Sequence, residues 1–527
     1  FSTHGGVMTS LRLKRFADRT TREPVELILP FSEQHSGAFT LYIAGDNKGQ
    51  PLMRPFQVEA FEDGLLFYAE TLLMMNGVAR PVGISKHYTF VEDEYLIQLE
   101  VGFKSLDERE MTLDFDGVAY TLEVIPQMGP SFLKLDAREN FRHSVFLNAQ
   151  GKRSVAKMRD GLAVADKDAP WAAVVEKYFL VIGSMIGDDE LRQQWTNKPL
   201  DASGLPGLQL NLMPESFSGT RHSQIFHFYM GPKQERELLR YNDANKNGFG
   251  LSDKLYNRAL DNSVILGPLI WVMRSLLTLI YTVVPNWGWA IVILTILVKI
   301  ALIGPSLASA KSAVAMSQVQ PKLKALQAQY KDKPQELSVK QMELYQKEGV
   351  NPAAGCLPLL VQMPILIALF SLFNQYFELR GAPWILWMTD LSAPDQLIAF
   401  PYALPFLGWR YLNLLPILYV ATQLLTTWLT MQDTAATNPQ MKNVMWMMPI
   451  IFFFMLYNMP SGLFLYWTVS NILGLGQQLL INYWKKNGTL EQMMNKDKEK
   501  KKAKKARGQS LMSTYQAKVA QQAKKKK

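Results

Sequence analysis

Cysteine is almost absent: the chain of 527 residues carries one, Cys356. An intramolecular disulfide framework is therefore excluded, as is a zinc site built on several cysteines. Histidine is scarce too, with His4, His35, His87, His143, His222 and His227 and no HExxH spacing, so neither a metal nor a cofactor is expected. No GxxxxGK[ST] loop is present, so no bound nucleotide is expected to drive the chemistry. No acid, base and nucleophile fall into a constellation that would suggest an enzyme. Acidic residues are thin in the second half. Residues 1–250 hold 27 Lys+Arg against 33 Asp+Glu, a balance of −6, and the remainder holds 29 against 13, or +16. The long apolar runs lie in that basic half. The pairing indicates a membrane protein with basic cytoplasmic flanks rather than a nucleic-acid binder.

What is present divides the chain. Residues 1–240 read as a β-sandwich. "HYTFVEDEYLIQLEVGF" alternates on both sides of an acidic turn, and "HSVFLNAQGKRSVAKM" turns at Gln150-Gly151. "AYTLEVIPQ", "YFLVIGSMI", "LQLNLMP" and "QIFHFYMG" are further short strands. Residues 241–285 are expected to form a linker and an amphipathic helix, "VILGPLIWVMRSLLTLIYTVV", lying at the membrane surface with Trp271, Arg274 and Tyr281 as anchors, a true span being the alternative. The expected fold is therefore mixed, an extracytoplasmic β-sandwich followed by a polytopic α-helical bundle.

Five spans are expected, at about 287–308, 353–377, 411–431, through the short run "VMWMMPIIFFFMLYNM", and at 463–483. The loop 309–350 holds seven Lys, and the tail 484–527 holds fifteen Lys+Arg against three acids. Positive charge is retained inside, which places both in the cytoplasm and the β domain outside. An exported domain needs a signal, and the chain begins with Phe1, so a sixth, N-terminal signal-anchor span is expected ahead of it. Within 309–350, Met316, Val319, Leu323 and Leu326 line one helical face. Pro334 then opens a second helix with Leu337, Leu344, Tyr345 and the i,i+4 pairs Glu336–Lys340 and Glu343–Lys347. This hairpin is a candidate dock for a ribosome or a targeting factor, or else a solvated connector.

Lys299 interrupts the apolar run "WAIVILTILVKIALIG". A charge at mid-bilayer costs about 2.5–3.5 kcal/mol on insertion scales, so such a residue faces protein or a wet cavity. The spans offer it no clear carboxylate, since Glu378 and Asp433 fall at span ends. A hydrated cavity is the better account. Thr295 lies one turn from Lys299 on the same face. Gln362, Asn458, Ser461, Ser470, Asn471, Tyr466 and Trp467 are further candidates for the same groove, with helix–helix hydrogen bonding as the plainer role. Met441, Met445, Met447, Met448, Met455 and Met459 suit either an adaptable apolar surface or gap filling. A secondary transporter or channel is the alternative. It calls for paired intramembrane acids or matched broken helices, and neither is evident.

"NWGWAIVILTILVK", "NPAAGCLPLLVQMPILIALF", "APWILWMTDLSAPD" and "PSGLFLYWTVSNILGLGQQ" resemble, in order and spacing over about 286–483, the YidC family of membrane protein insertases. The outer domain, ending in "YMGPK", resembles the periplasmic domain of the Gram-negative form. The resemblance implies a groove open to cytoplasm and lipid in which the family carries an arginine. Lys299 occupies that position, keeping the charge and losing the bidentate guanidinium. Thr295 and the Tyr466-Trp467 pair match groove positions of the family. It also implies a bacterial inner-membrane location, nascent membrane proteins as clients, action alone or with the Sec translocon, and contacts of the basic tail with ribosomal RNA or anionic lipid. Residues 396–412, "QLIAFPYALPFLGWRYL", are longer than the family usually shows.

Overall fold

The computed structural model describes residues 1–18, 22–28, 37–43, 51–75, 77–124, 142–157, 162–165, 169–186, 191–199, 206–260, 266–331, 333–350, 357–405, 407–434, 439–496 and 499. The "NPAAGC" segment with Cys356, the strand end "IPQ", His35 and most of the basic tail lie outside these. The chain forms two compact units, Phe1–Asn262 and Ser263–Lys527.

The first unit is a two-layer antiparallel β structure. Its larger sheet has nine strands. They run from Arg153–Val155 at one edge through His143–Leu147, Trp171–Val175, Phe179–Ile186, Arg221–Pro232, Leu96–Ser105, Val78–Phe90 and Gly64–Met75 to Gln57–Ala60. A six-stranded sheet contains Leu162–Val164, Leu191–Pro199, Pro206–Gly219, Thr121–Val124 and Thr40–Tyr42, and Met111–Val118 pairs with its long strand Pro206–Gly219. The two expected hairpins form. Phe90 pairs with Ile97 across the acidic turn, and Leu147 pairs with Arg153. Gly151 takes φ +67° in the second turn, a conformation that costs a glycine little. Along Leu96–Ser105 buried and part-exposed residues alternate, as a strand with one covered face requires. Aromatic contacts join the layers, with ring centroids 4.6 Å apart for Phe39–Phe228 and 5.1 Å for Phe103–Tyr120.

The strand Trp171–Val175 is buried throughout, and the reason lies in residues 235–260. This stretch contains helix α1 (Glu235–Leu239) and short 3-10 turns. It lays Leu238, Tyr241, Tyr256 and Ala259 against Trp171, Val145 and Ile182, covering the sheet's outer face. Glu94 fastens it, accepting from Arg240 Nη2 at 2.6 Å, Tyr241 Oη at 2.7 Å and the Gly248 amide at 2.9 Å. The expected linker thus begins too early: residues 241–260 belong to the β unit, because their aromatic side chains complete its core. The described residues contain no group of three or more metal-ligating side chains.

The second unit is helical: α2 (Gly267–Val283), α3 (Trp287–Ala301), α4 (Ile303–Gln329), α5 (Pro334–Glu348), α6 (Leu357–Gln375), α7 (Leu414–Thr434), α8 (Pro439–Leu456) and α9 (Ser461–Lys486). Among the described residues no single helix is long and apolar enough to cross a membrane, although α3 and α4 pass together as a pair bent by 51°. Met273 and Leu277 of α2, Ala290, Ile291, Leu294 and Val298 of α3, Leu369, Leu372 and Phe373 of α6, and Leu463, Leu465 and Tyr466 of α9 make its main core. Two glycines allow the close approaches. A Cβ on Gly288 would meet the Trp384 ring at 2.1 Å, and one on Gly462 would meet the Leu391 carbonyl at 3.0 Å.

On α2, Trp271 is exposed, as an interfacial anchor would be, but Tyr281 stacks on Trp287 at 4.0 Å instead. In the α4–α5 hairpin Val319 and Leu323 are buried as the periodicity predicts. The ion pairs differ from the expected i,i+4 set. Lys333–Glu336 and Lys340–Glu343 form at i,i+3, and Lys322 reaches Glu348 on the opposite helix at 2.6 Å. Residues three and four apart are both neighbours on a helix, so rotamers settle the choice.

Candidate functional site

The run that reads as one span over 287–308 is two helices. Asn286 caps α3, its Oδ1 accepting from the Trp289 amide at 3.1 Å. The helix then stops at Ala301. Leu302 leaves the helical region at φ −89°, ψ 1°, and its amide is shared between Val298 and Lys299 carbonyls at 3.1 and 3.2 Å. Pro305 has no N–H to offer Ala301, so the ladder lacks a bond at this break. It sits comfortably in the first turn of α4, where an N–H is not needed. Lys299 therefore lies in the last turn of α3, not in the middle of a straight span. There its charge is favoured by the helix's C-terminal dipole.

Lys299 is half-buried beside a cavity of about 350 Å³. One wall is Ile296, Ile300, Ile303 and Leu307 of α3 and α4. The other is Leu473, Gly476, Gln477, Leu480, Ile481 and Trp484 of α9. The glycines of "GLGQQ" make room for it: a Cβ at Gly474 would lie 3.7 Å from Lys299 Nζ, and one at Gly476 would meet nothing within 4 Å. Among the described residues no hydrogen bond or ion pair holds the ammonium. Ile296, Ile300 and Ile303 are exposed, so the cavity opens on an apolar flank of the unit.

The other predicted residues divide by what they touch. Thr295 is fully buried, and its hydroxyl donates to the Ile291 carbonyl at 2.7 Å, within its own helix. Ser461 donates from Oγ to the Asp390 carbonyl at 2.9 Å and from its amide to Ala393 at 2.7 Å, tying the start of α9 to the loop before α7. Asn471 bridges from α9 to α7 through Thr422 Oγ1 at 3.3 Å. Tyr466 is buried in the main core, 6.3 Å from the Phe373 ring, and Trp467 packs against Tyr419 and Phe464. Gln362 is half-buried on α6 and Asn458 is exposed in the turn before α9. Neither lines the Lys299 cavity. Of the residues named from sequence, only Lys299 stands at that cavity. Gln477, its polar companion, was missed, although the paired glycines of "GLGQQ" signal a helix face kept open.

Two acids of the loop before α7, Asp390 and Asp395, serve structure. Asp390 Oδ1 accepts from the Ser392 amide and hydroxyl at 2.9 and 2.6 Å. Asp395 caps α7, taking the Leu414 and Leu415 amides at 2.8 and 2.9 Å and Trp387 Nε1 at 3.0 Å.

Residues 279–489 match the family described as "60Kd inner membrane protein", and residues 1–279 match that described as "YidC periplasmic domain". Proteins named "Membrane protein insertase YidC" align over most of the chain. The one from Treponema denticola is 36% identical over 92% of this chain and 84% of its own length. The one from Treponema pallidum is 31% identical over 91% and 82%. A galactose mutarotase-like structure from Lactobacillus casei overlaps 44% of this chain and 95% of its own at 10% identity and a TM-score of 0.30, too low to bear on function. With both halves matched and relatives this similar across nine-tenths of its length, the chain belongs to the YidC family of inner membrane proteins, with a periplasmic domain followed by a helical region.

Proposed function

We propose that the chain is a membrane protein insertase, as its relatives are named, and that the Lys299 cavity is where it receives a client. The observation that carries this is a cation with no partner among the described residues, in a largely apolar cavity beside an exposed apolar flank. An ammonium left without a carboxylate needs water or an anionic visitor to compensate it. A short acidic or polar segment of a nascent membrane protein enters, drawn by Lys299. Its hydrophobic segment slides along Ile296, Ile300 and Leu480 and leaves into lipid. Burial of apolar surface at about 25 cal/mol per Å² drives the step, and for a twenty-residue helix that outweighs a few polar residues.

In this reading α3 with the start of α4, α6, α7, α8 and α9 are the five spans, α2 lies at the surface, and the C-terminus is cytoplasmic. The α4–α5 hairpin and the basic tail face the ribosome, a targeting factor or anionic lipid, and the chain works alone or with the Sec translocon. Gln318 on α4 bonds Glu491 beyond α9 at 3.2 Å, which supports the hairpin and the tail sharing one side. The transporter alternative calls for paired intramembrane acids, whereas Asp390 and Asp395 lie in the loop before α7 and are engaged in turns and caps. The test is a photocrosslinker at position 299 and a ribosome-stalled membrane protein. Adducts are expected at the client's hydrophobic segment and its polar flank. Adducts from exposed Trp428 on α7 with none from position 299 would count against the cavity.

A further inference from the structure

The described residues of the extra segment 396–412, all but Phe406, fold into a β-hairpin. Ile398 pairs with Leu412 and Ala399 with Tyr411, and the ladder continues as Phe400 N to Arg410 O and Leu404 N to Trp409 O, both 2.8 Å. Its base is locked. Asn413 accepts from the Gln396 amide at 3.2 Å and donates to the Tyr457 carbonyl at 3.0 Å, while Tyr457 Oη donates to the Tyr411 carbonyl at 3.1 Å. A loop held this firmly would normally turn polar side chains outward. This one presents Ile398, Tyr402, Leu407 and Tyr411, with Tyr402 86% exposed, and Arg410 is its sole charged residue.

The exposed apolar surface does not stop at the hairpin. Trp409 stacks on Tyr457 with centroids 3.6 Å apart and planes 8° apart, and lies 6.0 Å from Phe454. Phe454, Ile451 and Ile450 form an exposed apolar flank of α8. One continuous surface therefore runs along α8, over Phe454 and Trp409, into the hairpin. Neither edge of the two-stranded hairpin meets a further strand among the described residues, an arrangement that hydrocarbon would not tolerate and headgroups would. Tyr and Trp favour that depth, and an arginine there meets phosphate.

We propose that the hairpin 396–412 is a phospholipid-binding anchor, seated at the headgroup level of the outer leaflet and fixing the height of α7 and α8. The inference rests on the reading of α8 as a span. Test it with the full chain in a Cys356→Ser background, carrying an environment-sensitive NBD label at Tyr402→Cys and, separately, at Ile450→Cys and Glu62→Cys. The protein is reconstituted in vesicles of phosphatidylethanolamine and phosphatidylglycerol. The expected result is blue-shifted emission at 402, quenched more by lipid spin-labelled near the headgroup than by lipid labelled deep in the chain. Position 450 is expected to show the reverse depth, and position 62 to respond to aqueous iodide alone. Iodide quenching at 402 with lipid quenching at 450 overturns the anchor and leaves the span standing. Iodide quenching at both overturns the span. Emission at 402 that turns blue only when a client chain is added makes the hairpin a protein-binding surface and overturns the lipid assignment.

Discussion

Replacing Lys299 with alanine isolates the charge on which the proposed mechanism rests. A cavity of about 350 Å³ has the volume of a cube about 7 Å on a side, and about 7 Å serves as the separation between a client carboxylate inside it and Nζ. Two unit charges about 7 Å apart at an effective dielectric of about 20 attract by about 2.4 kcal/mol. Taken whole, that is a factor of roughly fifty in rate at about 1.36 kcal/mol per decade. The carboxylate also sheds water on entering, so about tenfold is the expected net loss. The assay is insertion into proteoliposomes of a client with one acidic residue in its translocated tail, beside the same client with Asp changed to Asn. Lys299→Ala should slow the acidic client about tenfold and barely touch the neutral one, and Lys299→Arg should insert both. Equal slowing of the two clients by Lys299→Ala would refute the electrostatic argument and leave a packing role beside Gly474. Failure of Lys299→Arg as complete as that of Lys299→Ala would do the same.

Further outcomes follow from other sites. Gly288→Ala sets a Cβ 2.1 Å from the Trp384 ring, so the helical unit should lose about 1–3 kcal/mol, read as a lower melting temperature in detergent. Lys86 is fully buried and donates to the Gly5 and Phe39 carbonyls at 2.7 and 2.8 Å; Lys86→Met strips both and should cost the β unit about 2–4 kcal/mol in urea unfolding followed by its tryptophans. Asp395→Ala uncaps α7 and should destabilise by about 1–2 kcal/mol, with faster amide exchange at Leu414 and Leu415. Burial, with a smaller push from Lys254, lowers the His227 pKa to about 4. The unfolded chain takes up that proton near its ordinary value of about 6.5 and the folded one does not. Stability should therefore fall as pH drops from about 6.5 to about 4, and His227→Gln should flatten that slope.

Much of the organisation was legible because its signals are local. Alternation in "EYLIQLEVGF" specifies a strand with one covered face, and Gly151 specifies a turn, whatever else the chain does. The asymmetry of lysine and arginine and the apolar runs likewise mark the second half without reference to a fold. Other readings failed at points where a partner distant in sequence decides. The linker's start could not be read because Tyr241 and Tyr256 look like any amphipathic aromatic until Trp171 lies beneath them. The polar residues gathered into one groove from sequence were dispersed by packing: Ser461 answers to Asp390 and Asn471 to Thr422.

The amino-acid sequence by itself determined the class of molecule, a β domain joined to an apolar, basic helical half with the motifs of one family, since composition, period and motif spacing survive any arrangement in space. Only the tertiary structure decided that α3 ends two residues after Lys299 and that the glycine face of α9 stands opposite it. Hydropathy averages over a run and cannot register where its helix breaks, nor which face of a helix comes to lie across from a charge.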